Sequence, residues 1–320
     1  MYYLYAVLFL ILILVLFKLW HNLKPKPITP KKDSKIITSP PKDPALELKK
    51  KYEDLLNKMI SSLTYNYKDI KIVAEGGMGI IAEAFDKERQ RKVAIKTILP
   101  ELKDNNNIVA MFLQECQVIQ GMNHPNIVRI FEVGRSDFLY YVMDFLDGKP
   151  LQDIIDAEKK LSVAYTVKIG CQVARALQHI HSNGLIHRDI KPSNLYIVEN
   201  NLVKIIDFGI AKLLNAGSSI VHCTNAGSPI YSSPEQLQGG EISGKSDIYS
   251  FGVCLFYMLS GEHPFNSEDV LSKMFESPKK LKNLVPDIPE ALSRMVDLCL
   301  HVDPKKRLAA HELWARLRAL

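Results

Sequence analysis

The first seventeen residues, Met1 to Phe17, carry no charge, and from Tyr2 to Trp20 only Lys18 interrupts the apolar run. A helix needs roughly 17 to 25 such residues to cross about 30 Å of hydrocarbon, so residues 1–20 predict a single transmembrane anchor. Trp20 and the early tyrosines Tyr2, Tyr3 and Tyr5 suit its two interfaces. The alternative, a cleaved secretory leader, wants basic residues before the run and a small-residue cleavage site after it, and neither is present. All the nearby lysines follow the run, which puts the N-terminal end outside and the rest of the chain in the cytoplasm by the positive-inside rule.

Residues 21–44 read as an extended, solvated linker rich in proline and lysine. From 45 to 66, Leu46, Leu48, Leu55, Leu56, Met59 and Ile60 approach helical spacing and predict a short amphipathic helix. From Tyr67 the pattern turns to short β-branched runs, KIVAE, GIIAEAF, KVAIKTI, NIVRIFEVG and FLYYVMDF, interrupted by one helix-like stretch from Asn107 to Gly121. After about Leu151 the chain is mostly helical. The expected class is α+β, with a small sheet-rich lobe (67–146), a larger helical lobe (147–320) and a cleft between them.

Composition adds limits rather than detail. A 320-residue chain that is 47% hydrophobic can bury a real core, which excludes global disorder. The net charge of +6 is local: residues 18–51 hold ten lysines against Asp33, Asp43 and Glu47, leaving the rest near −1. Lysines among prolines beside an apolar segment fit anionic lipid headgroups, either as a clamp or as part of a loose leash, and do not make a nucleic-acid surface. Five scattered cysteines, Cys116, Cys171, Cys223, Cys254 and Cys299, read as reduced core thiols.

Candidate chemistry begins at Ala74-Glu75-Gly76-Gly77-Met78-Gly79, between two strand-like runs, where glycines let backbone N–H groups approach phosphates. By itself the stretch reads sooner as an ordinary glycine hairpin than as a phosphate loop. Lys96, at the end of VAIK, is placed to meet phosphate oxygens, and Glu115 in FLQEC is the carboxylate that would hold it. The decisive stretch is HRDIKPSN, His187 to Asn194. It resembles the catalytic loop of the protein-kinase superfamily, and the pattern is most similar to bacterial serine/threonine kinases of eukaryotic type, over about Tyr67 to the C-terminus.

The resemblance implies a bilobal kinase fold, ATP with Mg2+ (Mn2+ as the alternative), and protein substrates with Ser or Thr acceptors. It gives Asp189 the acceptor hydroxyl, Lys191 the γ-phosphate, and Asn194 and Asp207 of Asp207-Phe208-Gly209 the metal. Lys96 and Glu115 complete the catalytic set. The nucleotide pocket would comprise the loop 74–79, Ile81, Ala94, Lys96, Met143 at its back, and the hinge residues Asp144 and Leu146, with Phe145 between them. GSPIYSSPEQ, Gly227 to Gln236, resembles the end of the activation segment, with Ser228 against the catalytic loop and Ser233 where the family has alanine. Glu235 would pair with Arg307, and Asp247 would brace the catalytic loop.

Two departures stand out: Ala74 replaces the first loop glycine, where a positive φ would be strained, and Leu308 replaces a proline, which should affect packing only. Arg188 beside Asp189 resembles kinases switched on by a phosphate in the activation segment, with Thr224 the first candidate and Ser218 and Ser219 the second. A catalytically dead scaffold and a small-molecule phosphotransferase are the rival readings. The intact lysine and aspartates oppose the first, and the peptide-platform motifs oppose the second. An anchored enzyme would also be concentrated in the bilayer, favouring self-association and phosphorylation in trans.

Overall fold

A computed structural model describes residues 44–76, 79–98, 106–136, 138–208, 229–265 and 276–320. The expected anchor at 1–20, the linker up to residue 43, Gly77, Met78, Gly209, Ser218, Ser219, Thr224 and Ser228 lie outside the described residues.

The first element, α1 (Pro44–Leu63), runs into a five-stranded antiparallel sheet of β1 (Tyr67–Gly76), β2 (Gly79–Asp86), β3 (Arg91–Ile98), β4 (Ile130–Arg135) and β5 (Leu139–Asp144), ordered β1-β2-β3-β5-β4. Helix α2 (Asn106–Gln120) connects β3 to β4. Side chains alternate across a strand, and on β5 both faces are buried: Leu139, Tyr141 and Met143 pack with Phe112, Cys116 and Ile119 of α2, while Tyr140 and Val142 lie in the opposite cluster. That opposite cluster contains Leu55, Met59 and Leu63 of α1 against Tyr67, Ile80, Val93 and Ile95. The spacing 55, 59, 63 is four residues each time, slightly more than one turn, so one narrow stripe of α1 covers the sheet. Ile60, expected on the apolar face, points to solvent at 38% exposure.

The turn after β2 closes the end of α1. Lys87 donates from Nζ to the carbonyls of Thr64 (2.7 Å) and Tyr65 (3.3 Å), and its backbone N–H donates to Asn66 O. A cation at a helix C-terminus meets the outward carbonyls and the negative end of the dipole.

The second lobe holds β6 (Gly148–Pro150), α3 (Leu151–Glu158), α4 (Val163–Ser182), the hairpin β7 (Leu195–Val198) and β8 (Leu202–Ile205), α5 (Pro234–Gln238), α6 (Gly244–Ser260), α7 (Leu281–Leu284), α8 (Glu290–Cys299) and α9 (Ala310–Arg318). Helix α6 is buried all round from Ser246 to Phe256, which marks it as the centre of the lobe. Gly252 is what lets α8 approach it, because a Cβ there would lie 2.7 Å from the Cβ of Cys299. Leu308, standing in place of proline, is buried in the same core.

Two sequence expectations are corrected. NIVRIFEVG is not one strand: Asn126 to Val128 turns away to the second lobe, where Val128 N–H donates to Ile205 O and Ile205 N–H to Asn126 O, and β4 begins only at Ile130. Asn126 also donates from Nδ2 to Val203 O and Gln172 Oε1, stitching the lobes together. Among the thiols, Cys116, Cys254 and Cys299 are buried as expected, but Cys171 is only half-buried because it lies at the edge of the α4 stripe. Cys223 lies outside the described residues.

Candidate active site

The β7–β8 hairpin sets the site. Asn194 immediately precedes β7, Asp207 follows β8 by two residues, and the register pairs Leu195 with Ile205, so both metal candidates emerge at one end of the hairpin. Asn200 and Asn201 make its tight turn with φ of 61° and 57°, a conformation asparagine adopts more readily than most residues.

Asp189 is fixed from two sides. Asn194 Nδ2 donates to Asp189 Oδ2 at 2.9 Å and to its backbone oxygen at 2.7 Å, and Lys191 Nζ lies 3.0 Å from Oδ2. Across the cleft, Lys96 Nζ is 2.5 Å from Asp207 Oδ1. The expected Lys96–Glu115 pair lies outside the described residues: Glu115 is on α2, but its side chain is not described. Asp207 has φ of 54° and Arg188 φ of 67°. Left-handed backbone at a non-glycine residue costs about 1–3 kcal/mol and persists only where neighbours over-determine it.

For Arg188 those neighbours are visible. Asp247 accepts from the N–H of His187 at Oδ2 and of Arg188 at Oδ1, both at 2.8 Å, and its Oδ2 also meets His181 Nε2 at 2.8 Å. His187 is fully buried, and burial pushes its pKa down, so the ring is neutral. It donates from Nε2 to Ile206 O (2.9 Å) and accepts at Nδ1 from Asp189 N–H (3.3 Å), while its ring lies 4.8 Å from that of Phe208. One tautomer thus joins the catalytic loop to the segment carrying Asp207.

The expected nucleotide pocket is apolar where a base would sit. Ala94 and Met143 face each other in the β3–β5 register and are buried in one cluster, with Ile81, Leu146 and Phe208 packed against it. Asp144 N–H is engaged with Arg129 O, and its carboxylate takes Arg91 Nη2 at 2.7 Å, so this hinge residue is anchored to the sheet. Ala74 and Glu75 lie in β1 opposite Ile81 and Ile80, and Gly76 pairs with Gly79, closing a hairpin whose tip lies outside the described residues. Ala74 is not among the described residues with positive φ, so the strain expected there is absent: an extended strand accepts the methyl group without penalty.

Glu235 and Arg307 form the expected pair, Nη1 to Oε1 at 2.6 Å and Nη2 to Oε2 at 2.8 Å, with Ser246 Oγ donating to the same Oε1 at 2.6 Å. Burial opposes the Glu235 charge, but the Arg307 and Ser246 hydrogen bonds outweigh it and hold the carboxyl below its usual range. The remaining Arg307 donors go to the carbonyls of His301, Val302 and Lys245. All five guanidinium donors are therefore satisfied.

Two residues escaped the sequence reading. Tyr141, opposite Lys96 in the register, is buried beside Asp207, and burial, then that carboxylate, keeps its phenol protonated. Gln236 donates from Nε2 to Arg188 O at 2.9 Å. Its signal was present: Ser233 and Gln236 have the S-x-x-Q spacing of a capping box, which the structure forms at the start of α5. Gly239, with φ of 67°, ends that helix by donating to Glu235 O.

A divalent-metal site fits these residues. Asn194 engages its amide nitrogen with Asp189, which leaves Oδ1 as its metal donor, and Asp207 supplies a carboxylate. Among the described residues no cluster of three or more His, Cys, Asp or Glu could hold a metal. One carboxylate and one amide oxygen suit an ion that takes its other ligands from phosphates and water.

Comparison with known proteins agrees. A family model described as protein kinase domain matches residues 67–316. A probable serine/threonine-protein kinase of Clostridium perfringens is 36% identical over 256 residues, 78% of this chain and 37% of that protein. Serine/threonine-protein kinase PrkC of Bacillus subtilis is 34% identical over 265 residues, 81% of this chain and 40% of that protein. The chain therefore spans about two fifths of the length of these relatives. The crystal structure of the Mycobacterium tuberculosis PknI kinase domain shares the fold, with a TM-score of 0.65 and 22% identity over 79% of this chain and 96% of that one.

Proposed function

The chain belongs to the protein kinase family, and on that premise we propose that it transfers the γ-phosphoryl group of ATP to serine and threonine hydroxyls of protein substrates. The observation that carries this reading is the meeting of Asp189, Lys191, Asn194 and Asp207 around one end of the β7–β8 hairpin, with Lys96 facing them.

Phosphoryl transfer asks a protein for position and countercharge, because ATP supplies the reactive group. Asp189 orients the acceptor hydroxyl and takes its proton as the oxygen–phosphorus bond forms and the β–γ bridging bond breaks. Lys191 faces the charge gathering on the γ-phosphoryl oxygens, and Lys96 holds the phosphates on the other wall. Asn194 and Asp207 would hold magnesium, which supplies charge neutralisation at the phosphate oxygens when bound. Ile81, Ala94, Met143 and Leu146 give the adenine a dry slot, and the loop 74–79 covers the phosphates.

The test is transfer of labelled γ-phosphate by the full chain in detergent micelles, beside Asp189→Asn. Label on serine and threonine from the wild type alone is expected. A wild type that binds nucleotide and transfers nothing would favour a scaffold.

The proposal extends to place and control. Residues 1–20 anchor the chain in a bilayer with the catalytic part in the cytoplasm, supported by the uncharged run and the lysines behind it. Among the described residues no helix is long and apolar enough to cross a membrane. The linker lysines lie on anionic headgroups, and anchored copies phosphorylate one another at Thr224, with Ser218 and Ser219 as secondary sites, the phosphate pairing with Arg188. Thr224→Ala should phosphorylate substrate more slowly than wild type; equal rates would remove Thr224 as the switch.

A further inference from the structure

We infer that Gln236 is a positioning residue for phosphoryl transfer, holding the peptide that leads into Asp189; this rests on the kinase reading above. Arg188, in its left-handed conformation, has both ends of its backbone clamped. Its N–H donates to Asp247 Oδ1 at 2.8 Å, and its carbonyl accepts from Gln236 Nε2 at 2.9 Å. The carbonyl of Arg188 belongs to the same peptide group as the N–H of Asp189, so its tilt decides where the Asp189 side chain starts. Asp247 reaches it from the centre of the second lobe, whereas Gln236 reaches it from the segment that ends the activation region.

The amide of Gln236 can sit only one way round. Its Oε1 accepts from Ser233 N–H at 2.9 Å and from Ser233 Oγ at 3.2 Å, while Ser233 Oγ in turn accepts from Gln236 N–H at 3.4 Å. Both Ser233 donors meet Oε1, which turns Nε2 toward Arg188. Ser233 is fully buried. A serine where the family has alanine thus acquires a role: its hydroxyl adds a second anchor that holds the Gln236 side chain in its reach. The same four-residue turn carries Glu235, tied to Arg307, so the substrate platform, the lobe core and the catalytic loop are joined within α5 and its cap.

Gln236→Glu separates positioning from capping, because a carboxylate still accepts from Ser233 N–H but cannot donate to Arg188 O. Gln236→Met removes both. In the full chain, Gln236→Glu should lower kcat about 10- to 100-fold, the scale of a misplaced catalytic group. Its KM for ATP should stay at the wild-type value, and deuterium uptake of the peptide covering 187–194 should rise. Gln236→Met should repeat the kcat and uptake changes and also melt earlier. Wild-type kcat in both variants, with unchanged uptake, would overturn the inference while leaving the kinase reading intact. Should the wild type transfer no phosphate, the kinase reading fails and the uptake of 187–194 alone decides whether Gln236 holds the loop.

Discussion

Glu235 and Arg307 are buried, yet both are charged, and both carboxylate oxygens and all five guanidinium donors have partners. Removing one member leaves the other buried and alone, which typically costs about 3–5 kcal/mol. Arg307→Ala should therefore lower the melting temperature sharply, measured by thermal denaturation of the full chain. Because the folded pKa of Glu235 is depressed, its contribution is complete above the unfolded value of about 4.3 and disappears as pH falls through the folded value. His124 acts over a higher window. Burial, then the stacked His179 and the nearby Arg175, push its pKa down to about 4. The unfolded chain takes up this proton near pH 6.5, so stability is full above that value and declines as pH drops toward 4. His124→Gln should flatten the stability profile between those limits by up to one proton's slope; an unchanged slope would place the acid sensitivity elsewhere, at His187 for example. At this scale Asp189, Lys191 and Asn194 were legible because their spacing is short and fixed by one loop. Gln236 and Tyr141 were not, because the first acts on a carbonyl 48 residues away and the second is defined by a strand register.

Helix α1 shows what periodicity reveals and what it withholds. The recurrence of Leu55, Met59 and Leu63 announces a helix with one apolar stripe, but nothing local says that the stripe covers the face of the sheet opposite α2. Only the alternation along β3 and β5, buried on both sides, implies that the second face needs a cover. Met59 is wholly buried there. Met59→Ala should cost about 2–5 kcal/mol, the range for emptying a packed core site. A chain begun at Tyr67, where the family match starts, should expose Ile80, Val93, Ile95 and Val142, bind a hydrophobic dye and aggregate, whereas one begun at Ala45 should melt like the full chain. Equal melting of both truncated chains would show that α1 adds nothing to the fold. The division of NIVRIFEVG was hidden for a similar reason: its β-branched residues suit either sheet, and the hydrogen bonds of Asn126 to the second lobe decide the outcome.

At the scale of the whole molecule, the change from strand-like to helix-like patterning near Leu151 was enough to foresee two lobes, while their coupling was not foreseeable. That coupling runs through Asn126, Val128 and Ile205 behind the cleft and through Lys96 and Asp207 across it. A nucleotide between the lobes would touch Ile81, Ala94 and Lys96 on one side and, through magnesium, Asn194 and Asp207 on the other. A ligand that binds only the folded state adds about 2.7 kcal/mol at 100 times its Kd. Because the lobes are stitched together, magnesium-ATP should raise one shared melting transition rather than that of the first lobe alone. Asp189→Asn should keep the shift, since the proposed mechanism has Asp189 meet the acceptor and not the nucleotide. Asp207→Asn should lose most of it, having lost both the partner of Lys96 and the carboxylate of the metal site. Two transitions, only the first responding to nucleotide, would mean that the Asn126 connection does not carry cooperativity between the lobes. A full shift in Asp207→Asn would mean that the metal finds its oxygens elsewhere.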